Sequence, residues 1–290
     1  MNVSERVRSA SELKQKKQKE LQEIEDVAVE LASLAGAEIT RTLGSIFTVR
    51  YKTGPQGAEI SLRDPVSEVD GLIESLIRAR IGERFPDHAI IGEEMKDRLG
   101  YQDTYLWAVD PIDGTTNFVN GFPLFAASIG VLCEGKPVVG ALWCSISHAL
   151  RAGVYHAHDG GPLRFESDEV TPRVNPEVRR KLAGVPVALP SDEFAWETRK
   201  TGSAAIECAL VAAGLMQVAR FTSPNIWDVA GGLALVRAAG REVRRHDGDA
   251  WVPMESFTPM RGANEIGDLR HWHGGLVVGT SEAVARMCQQ

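Results

Sequence analysis

Apolar positions along the chain recur with two periods, and the two periods predict two kinds of element. Leu21, Ile24, Ala28, Leu31 and Ala35 follow alternating three- and four-residue steps. That spacing puts them on one face of a helix, predicted from Ser11 to about Leu43. Leu72, Ile73, Leu76, Ile77 and Ile81 form a second helical stripe, opened by Ser67. Between the two helices, Phe47 to Tyr51 and a run near Ala58 to Leu62 read as strands about a turn at Gly54-Pro55. Ile90-Ile91 and Tyr105 to Val109 are short apolar runs that end at acidic residues. Residues 124–133 and 137–144 are rich in strand formers, and Glu134-Gly135-Lys136-Pro137 between them signals a hairpin. Residues 157–180 are polar and rich in glycine, proline and charge, as expected of a surface excursion.

The second half repeats the alternation. Val185 to Leu189, Leu215 to Phe221 and Leu276 to Val278 read as strands. Ser203 to Ala213, Trp227 to Ala239 and a segment from Ser281 read as helices, with Gly240 as a C-terminal cap. Helices packed on mixed sheets in both halves predict a layered α+β enzyme. Residues 1–20 read as a polar N-terminal extension. Residues 21–290 read as one catalytic unit, with an N-terminal α+β half over about 21–150 and a C-terminal α/β half over about 181–290.

Composition narrows the function. Of 290 residues, 43% are hydrophobic and 24% charged, an ordinary mixture for a globular enzyme. A net charge of −7 makes a nucleic-acid partner unexpected, because phosphate contacts demand a basic surface. A phosphorylated substrate stays open, since bound cations invert the charge of an acidic cleft. The Lys-rich start, Arg6 to Lys19, reads as a solvated first part of the helix, with a nucleic-acid arm as the sharper alternative. It lacks the apolar stretch of a signal peptide, and no apolar run approaches the roughly 18 residues of a membrane span. A cytoplasmic protein is expected. Cys133, Cys144, Cys208 and Cys288 are scattered without a C-x-x-C pair, so neither a zinc site nor a disulfide framework is predicted. His148, His156, His158 and His246 fall in no motif and are expected on the surface.

The chemistry concentrates in Asp110-Pro111-Ile112-Asp113-Gly114-Thr115. An apolar strand delivers Asp110, and Pro111 is expected to turn the chain so that Asp110 and Asp113 share a cleft. Gly114 permits close approach of the backbone, and Thr115-Thr116 can open a helix whose free N–H groups attract an anion. Carboxylates for a hard cation beside amides for a phosphate suit metal-assisted phosphoryl transfer. Taken singly, each acid has a plainer reading: Asp70 and Asp228 as helix caps, Glu93 and Glu94 as solvated loop acids.

The longer run Trp107 to Phe118, W-A-V-D-P-I-D-G-T-T-N-F, resembles the signature of the inositol monophosphatase family, part of a lithium-sensitive, magnesium-dependent phosphatase group. Three further segments resemble the family in the same order: Asp64-Pro65-Val66-Ser67-Glu68-Val69-Asp70, Ile91-Gly92-Glu93-Glu94 and Trp227-Asp228-Val229-Ala230-Gly231-Gly232. Gly202-Ser203-Ala204-Ala205 resembles its G-[ST]-A-A segment, at a helix N-terminus facing the substrate. The resemblance implies an α-β-α-β-α sandwich of the inositol monophosphatase and fructose-1,6-bisphosphatase type, a homodimer, and two to three Mg²⁺ ions. Glu93, Asp110 and the Ile112 carbonyl would hold the first ion; Asp110, Asp113 and Asp228 the second; Glu93 would assist a third. Asp70 and Thr115 would orient and deprotonate the attacking water, and the Gly114 and Thr115 amides would hold the phosphate. Asp113, Gly202, Ser203, Ala204, Phe221 and Asp228 would face the substrate, a small phosphorylated metabolite such as inositol 1-phosphate or a related polyol or sugar phosphate.

The sequence departs from the family in three places. Phe221 stands seven residues before Asp228, where inositol phosphatases commonly carry a glutamate for substrate hydroxyls. Residues 157–166 keep glycines but lose the alanine and asparagine of the family's glycine-rich loop, and the segment before Asp64 is extended. Histidinol-phosphate, bisphosphate-nucleotide or fructose-bisphosphate hydrolysis on the same scaffold are therefore alternatives. A regulatory binding protein is the alternative outside catalysis.

Overall fold

The computed structural model describes residues 3–45, 49–51, 65–98, 105–172, 175–186, 196–258 and 266–289. The expected turn at Gly54-Pro55, the strand near Ala58 to Leu62 and Asp64 lie outside them.

Two helices open the chain and cover one face of a sheet. α1 (Val3–Thr42) and α2 (Glu68–Arg84) are joined through a two-stranded ribbon of β1 (Val49–Tyr51) and β2 (Pro65–Ser67). The polar residues 3–20 are helical and run directly into the amphipathic part of α1. The sheet has seven strands in the order β3 (Ala89–Gly92), β4 (Tyr105–Asp113), β5 (Ala126–Cys133), β6 (Lys136–Cys144), β7 (Gly153–His158), β8 (Arg164–Phe165) and β9 (Asp168–Glu169). The stripe Leu21, Ile24, Ala28, Leu31, Ala35 with Ile73, Ile77 and Ile81 packs against Trp107, Val109, Val139 and Trp143 to close this first core.

α4 (Ala204–Ala212) and α5 (Ile226–Ala238) cover the other face of the same sheet and also contact a second one. That second sheet has six strands in the order β11 (Trp196–Arg199), β10 (Lys181–Gly184), β12 (Met216–Phe221), β15 (Leu276–Gly279), β13 (Glu242–Asp247) and β14 (Ala250–Pro253). α6 (Ser281–Met287) covers its outer face through Val284 and Met287. The layers therefore run helix, sheet, helix, sheet, helix, as the resemblance implies. α5 is apolar on all sides because it lies in the middle layer.

Three local expectations need correction. Pro111 does not turn the chain: β4 continues through it to Asp113, with a register shift against β5 between Asp110 and Asp113. β3 pairs with β4 only as far as Val109, so the proline sits where one side of the strand has no ladder to lose. In the second sheet, the strand begins earlier than expected, at Lys181–Gly184; residues 187–189 of the span expected from Val185 to Leu189 lie outside the described residues. It runs between two parallel partners, and Pro186 has no N–H with which to continue such a ladder. Residues 157–180 are not wholly superficial, because Leu163, Phe165 and Val170 enter the core.

His156 and His158 are also misread as surface residues. Both are buried on β7, and their Nδ1 atoms lie 2.6 and 2.5 Å from the two carboxylate oxygens of Glu25 on α1. Their alternation places them on the face that α1 covers, where a buried Glu25 requires them.

Candidate active site

The site forms where β4 ends. Asp110, 2% exposed, is held by its own turn, since the Ile112 amide donates to its Oδ1 at 3.0 Å. The chain reverses at Gly114, whose φ of +92° is the left-handed conformation that glycine adopts without a Cβ penalty. α3 (Thr115–Val119) begins at once, so its first N–H groups lie directly after the carboxylates of β4 and have no partner within the helix.

Four helix N-termini are tied together here by the motif acids. Asp70 is the third residue of α2, and its Oδ2 accepts from the Ser67 amide at 3.0 Å and from the Ser67 hydroxyl in a capping box. Its Oδ1 lies 3.3 Å from Thr115 Oγ1 at the start of α3. Asp113 Oδ2 accepts from Ser203 Oγ and the Ala205 amide, both at 2.6 Å, and so caps α4. Asp228 is the third residue of α5, where Oδ2 accepts the Asn225 amide at 2.7 Å in a second capping box. The plain capping reading is met for Asp70 and Asp228, and it engages one carboxylate oxygen of each.

Packing brings Asp228 to β4. A Cβ on Gly130 of β5 would stand 2.4 Å from the Gly231 nitrogen, and one on Gly140 of β6 would stand 2.2 Å from the Gly231 oxygen. α5 therefore lies backbone to backbone on the sheet, which requires glycine on both sides of the contact. Ser128, opposite Asp110 in the β4–β5 register, donates to the Trp227 carbonyl at 3.0 Å and fixes the helix start. Glu93 follows β3 in a loop gripped by a buried acid: Glu74 of α2 accepts the Glu94 amide at 2.7 Å and the Met95 amide at 3.2 Å. A Cβ on Gly92 would meet that carboxylate at 2.2 Å, which accounts for the glycine before Glu93.

The electrostatics are those of an uncompensated acid cluster. Burial, and then the charges of Glu93, Asp113 and Asp228, push the Asp110 carboxyl well above the usual carboxylate range. Burial raises Asp228 likewise, with Asp113 and Glu93 adding to it. Asp113 reaches about 6, because burial outweighs the bonds from Ser203 and the α4 backbone. Asp70 also stands at about 6, raised by burial against the opposing Ser67 bonds. None of Asp110, Asp113 and Asp228 is ion-paired with a lysine, arginine or histidine among the described residues. The donors are oxygens throughout, a set that suits a hard divalent cation. Among the described residues, no three acidic, histidine or cysteine side chains close on a single point.

Next to this cluster opens a cavity of about 290 Å³, lined among others by Lys200, Gly202, Ser203, Ala204, Phe221 and Asp228. The expected substrate-facing positions therefore share one space, with Asp113 joined to it through Ser203. Phe221 is 7% exposed and presents a hydrocarbon wall. Arg220 borders the cavity too, with its guanidinium 5.5 Å from the Trp251 ring. Sequence reasoning missed the residues that hold these parts in place: Glu74, Ser128, Arg270 and Asn117. Asn117 Nδ2 donates to the Leu124 and Thr201 carbonyls at 2.6 and 2.8 Å, tying α3 to the loop before α4. Its place inside the motif run was the available signal; the other three had none.

Comparison with known proteins agrees with this geometry. The profile of the inositol monophosphatase family matches residues 20–283. Inositol-1-monophosphatase of Bacillus subtilis is 28% identical over 84% of this chain and 93% of its own length. The Synechocystis protein of the same name is 32% identical over 77% and 78%. The solved inositol monophosphatase of Anabaena superposes with a TM-score of 0.69 over 93% of this chain and 95% of that one, at 23% identity, and shares the fold. By its family profile, its relatives and its layered architecture, the chain belongs to the inositol monophosphatase family.

Proposed function

We propose that this protein hydrolyses a small phosphomonoester, inositol 1-phosphate or a related polyol or sugar phosphate, with two or three Mg²⁺ ions in the carboxylate cleft. As a member of its family it is a phosphoric monoester hydrolase. The observation that carries the finer reading is the grouping of Asp110, Asp113 and Asp228 beside Glu93: the three aspartates have no lysine, arginine or histidine ion pair among the described residues, and Asp113 and Asp228 are each anchored through one oxygen by a helix cap. Magnesium keeps several of its waters rather than taking a dedicated all-protein cage, so an open arrangement of carboxylate oxygens fits it.

Glu93, Asp110 and the Ile112 carbonyl would hold one ion, and Asp110, Asp113 and Asp228 another, with Glu93 assisting a third. When bound, the ions supply the positive charge that draws the phosphate in and favours ionisation of a water. The chain itself supplies position and a proton acceptor. Asp70 Oδ1 faces Thr115 Oγ1 at 3.3 Å, and Thr115 Oγ1 donates to the Ile112 carbonyl at 2.8 Å. A water bonded to Thr115 can pass its proton to Asp70, whose other oxygen is fixed by Ser67. The Gly114 and Thr115 amides, at the first turn of α3, are oriented to hold phosphate oxygens. The leaving group would occupy the cavity beside Ser203 and Phe221. Phe221 favours, as a second reading, a leaving group with an apolar or flat face.

Lithium sensitivity, a cytoplasmic location and a homodimer belong to the same proposal; among the described residues no helix is long and apolar enough to cross a membrane. The test is phosphate release from inositol 1-phosphate, histidinol phosphate, fructose 1,6-bisphosphate and a nucleoside 3′,5′-bisphosphate, with Mg²⁺ and with EDTA. Turnover that requires Mg²⁺ is expected for at least one. Absence of Mg²⁺-dependent release from all of them would reject the proposal.

A further inference from the structure

Glu93 lies in a loop rather than at the start of a helix. Its loop follows β3 and is tied to the sheet by a Glu93 amide bond to the Val109 carbonyl at 3.2 Å. Glu74 holds the loop on the α2 side. On the opposite side stands Arg270, from a 3₁₀ helix of the C-terminal half, Ile266–His271. Its Nη1 donates to the Gly92 carbonyl at 2.7 Å and lies 2.6 Å from Asp97 Oδ1, and its Nη2 lies 3.3 Å from the Glu93 carbonyl. The same guanidinium covers the Trp227 ring, with Cζ 5.1 Å from the ring centre. Trp227 directly precedes Asp228, is 8% exposed, and its indole N–H has no acceptor among the described residues. Packing, rather than a hydrogen bond of its own, therefore keeps that ring in place.

We propose that Arg270 is a positioning residue that sets Glu93 against Asp228 across the cleft, so that the cation sites have the right span before any ion arrives. This rests on the reading of Glu93 and Asp228 as cation ligands. The chemistry of the contact supports it. Arg270 bonds the main-chain carbonyls of Gly92 and Glu93, and its charge is answered by Asp97. Only a planar fork reaches two carbonyls and an acid at once while stacking on a ring, which a lysine ammonium cannot do. Groups that orient ligands from behind change metal affinity by about 10–100-fold when removed.

Direct Mn²⁺ binding by electron paramagnetic resonance, and the Mg²⁺ concentration for half-maximal hydrolysis of inositol 1-phosphate, read this role. In Arg270→Met both should weaken by about 10–100-fold, while the KM for substrate at saturating Mg²⁺ stays within about threefold, under one kcal/mol. Arg270→Lys, which keeps the stem and the Asp97 pair, should fall between. A folded Arg270→Met with wild-type Mn²⁺ affinity overturns the proposal, as does a loss of turnover with Mn²⁺ affinity unchanged. If Arg270→Met does not fold, Arg270→Lys is the variant read, and wild-type Mn²⁺ affinity in it overturns the proposal equally. Glu93→Gln separates the two levels. If it leaves Mn²⁺ affinity intact, the ligand reading fails; if it weakens Mn²⁺ and Arg270→Met does not, only the positioning role fails.

Discussion

Two of the places where this molecule buries acids treat the charge in opposite ways. At the α1–β7 contact, Glu25 is 2% exposed and meets two histidines. The Nε2 of His156 also faces the Glu166 carbonyl at 2.8 Å. While Glu25 is ionised both partners of that ring accept, an arrangement that favours the doubly protonated imidazolium of His156. The acid and its countercharge are contained in the chain. At the end of β4, Asp110 is equally buried, and its neighbours Glu93, Asp113 and Asp228 only add to its burden. The first arrangement fastens a helix to a sheet. In the second, Asp110, Asp113 and Asp228 have no such countercharge among the described residues, and on the proposed reading cations from solution supply it.

The sharpest way to break this contrast is to remove one charge from each place. Asp110→Asn should lower kcat/KM for phosphate release by at least about 10³-fold, some 4 kcal/mol of transition-state stabilisation. The same change relieves mutual repulsion, so without divalent ions its melting temperature should equal or exceed that of the unaltered protein. In the unaltered protein, Mg²⁺ at a hundred times its Kd should add about 2.7 kcal/mol of stability over EDTA; in Asp110→Asn that gain should shrink or vanish. A variant that melts lower in EDTA and still gains fully from Mg²⁺ would contradict the contrast.

Glu25→Gln should do the reverse. Breaking a buried pair costs about 3 kcal/mol of stability, read by denaturant unfolding, while kcat/KM stays within about threefold. The pH dependence carries the signature. Burial alone would raise the Glu25 carboxyl, yet hydrogen bonds and charge from the histidines outweigh it and hold Glu25 at about 2, against an ordinary 4.5. Its contribution is full above 4.5 and is lost as pH falls towards 2. His156 is shifted the other way: burial lowers it, but the bonds to Glu25 and Glu166 and the Glu25 charge, opposed by Arg164, leave it above its ordinary 6.5. That contribution is full below 6.5 and is lost as pH rises through the folded value. The stability difference between the unaltered protein and Glu25→Gln should therefore be greatest between pH 4.5 and 6.5 and shrink on both sides. A difference that does not vary with pH would show that the pair is not ionised as described.

The functional cluster was far more legible in the sequence than the structural one. Asp110, Asp113 and Gly114 sit within one run because a strand end, a left-handed turn and a helix start are local events, and local events leave local patterns. Asp70 and Asp228 are legible for a related reason: each occupies the third position of its helix, so a capping box and a cleft acid are the same residue. Glu25 with His156 and His158 is an agreement between residues 131 and 133 positions apart, and nothing in the periodicity of α1 announces it. Arg270 and Gly92 are 178 positions apart, and that contact is equally silent. Pro111 was misread because the pairing on one side of β4 stops at Val109, a fact of sheet topology rather than of the dipeptide.

The mildest test asks whether the contrast extends to the cavity wall, where neither charge nor cation is involved. Phe221 lines the cavity beside Ser203 and is almost fully buried, so its replacement disturbs packing as well as contact. A ratio of two substrates measured on one variant cancels the packing loss. Phe221→Gln adds an amide where hydroxyls of a polyol would lie, without burying a new charge. One hydrogen bond is worth about 1 kcal/mol, so the kcat/KM ratio of inositol 1-phosphate to phenyl phosphate should rise about fivefold. The Mg²⁺ dependence should stay that of the unaltered protein, since Phe221 touches no motif carboxylate among the described contacts. An unchanged ratio would move the leaving group away from Phe221, whereas a changed Mg²⁺ dependence would mean that wall and carboxylate cluster act as one unit.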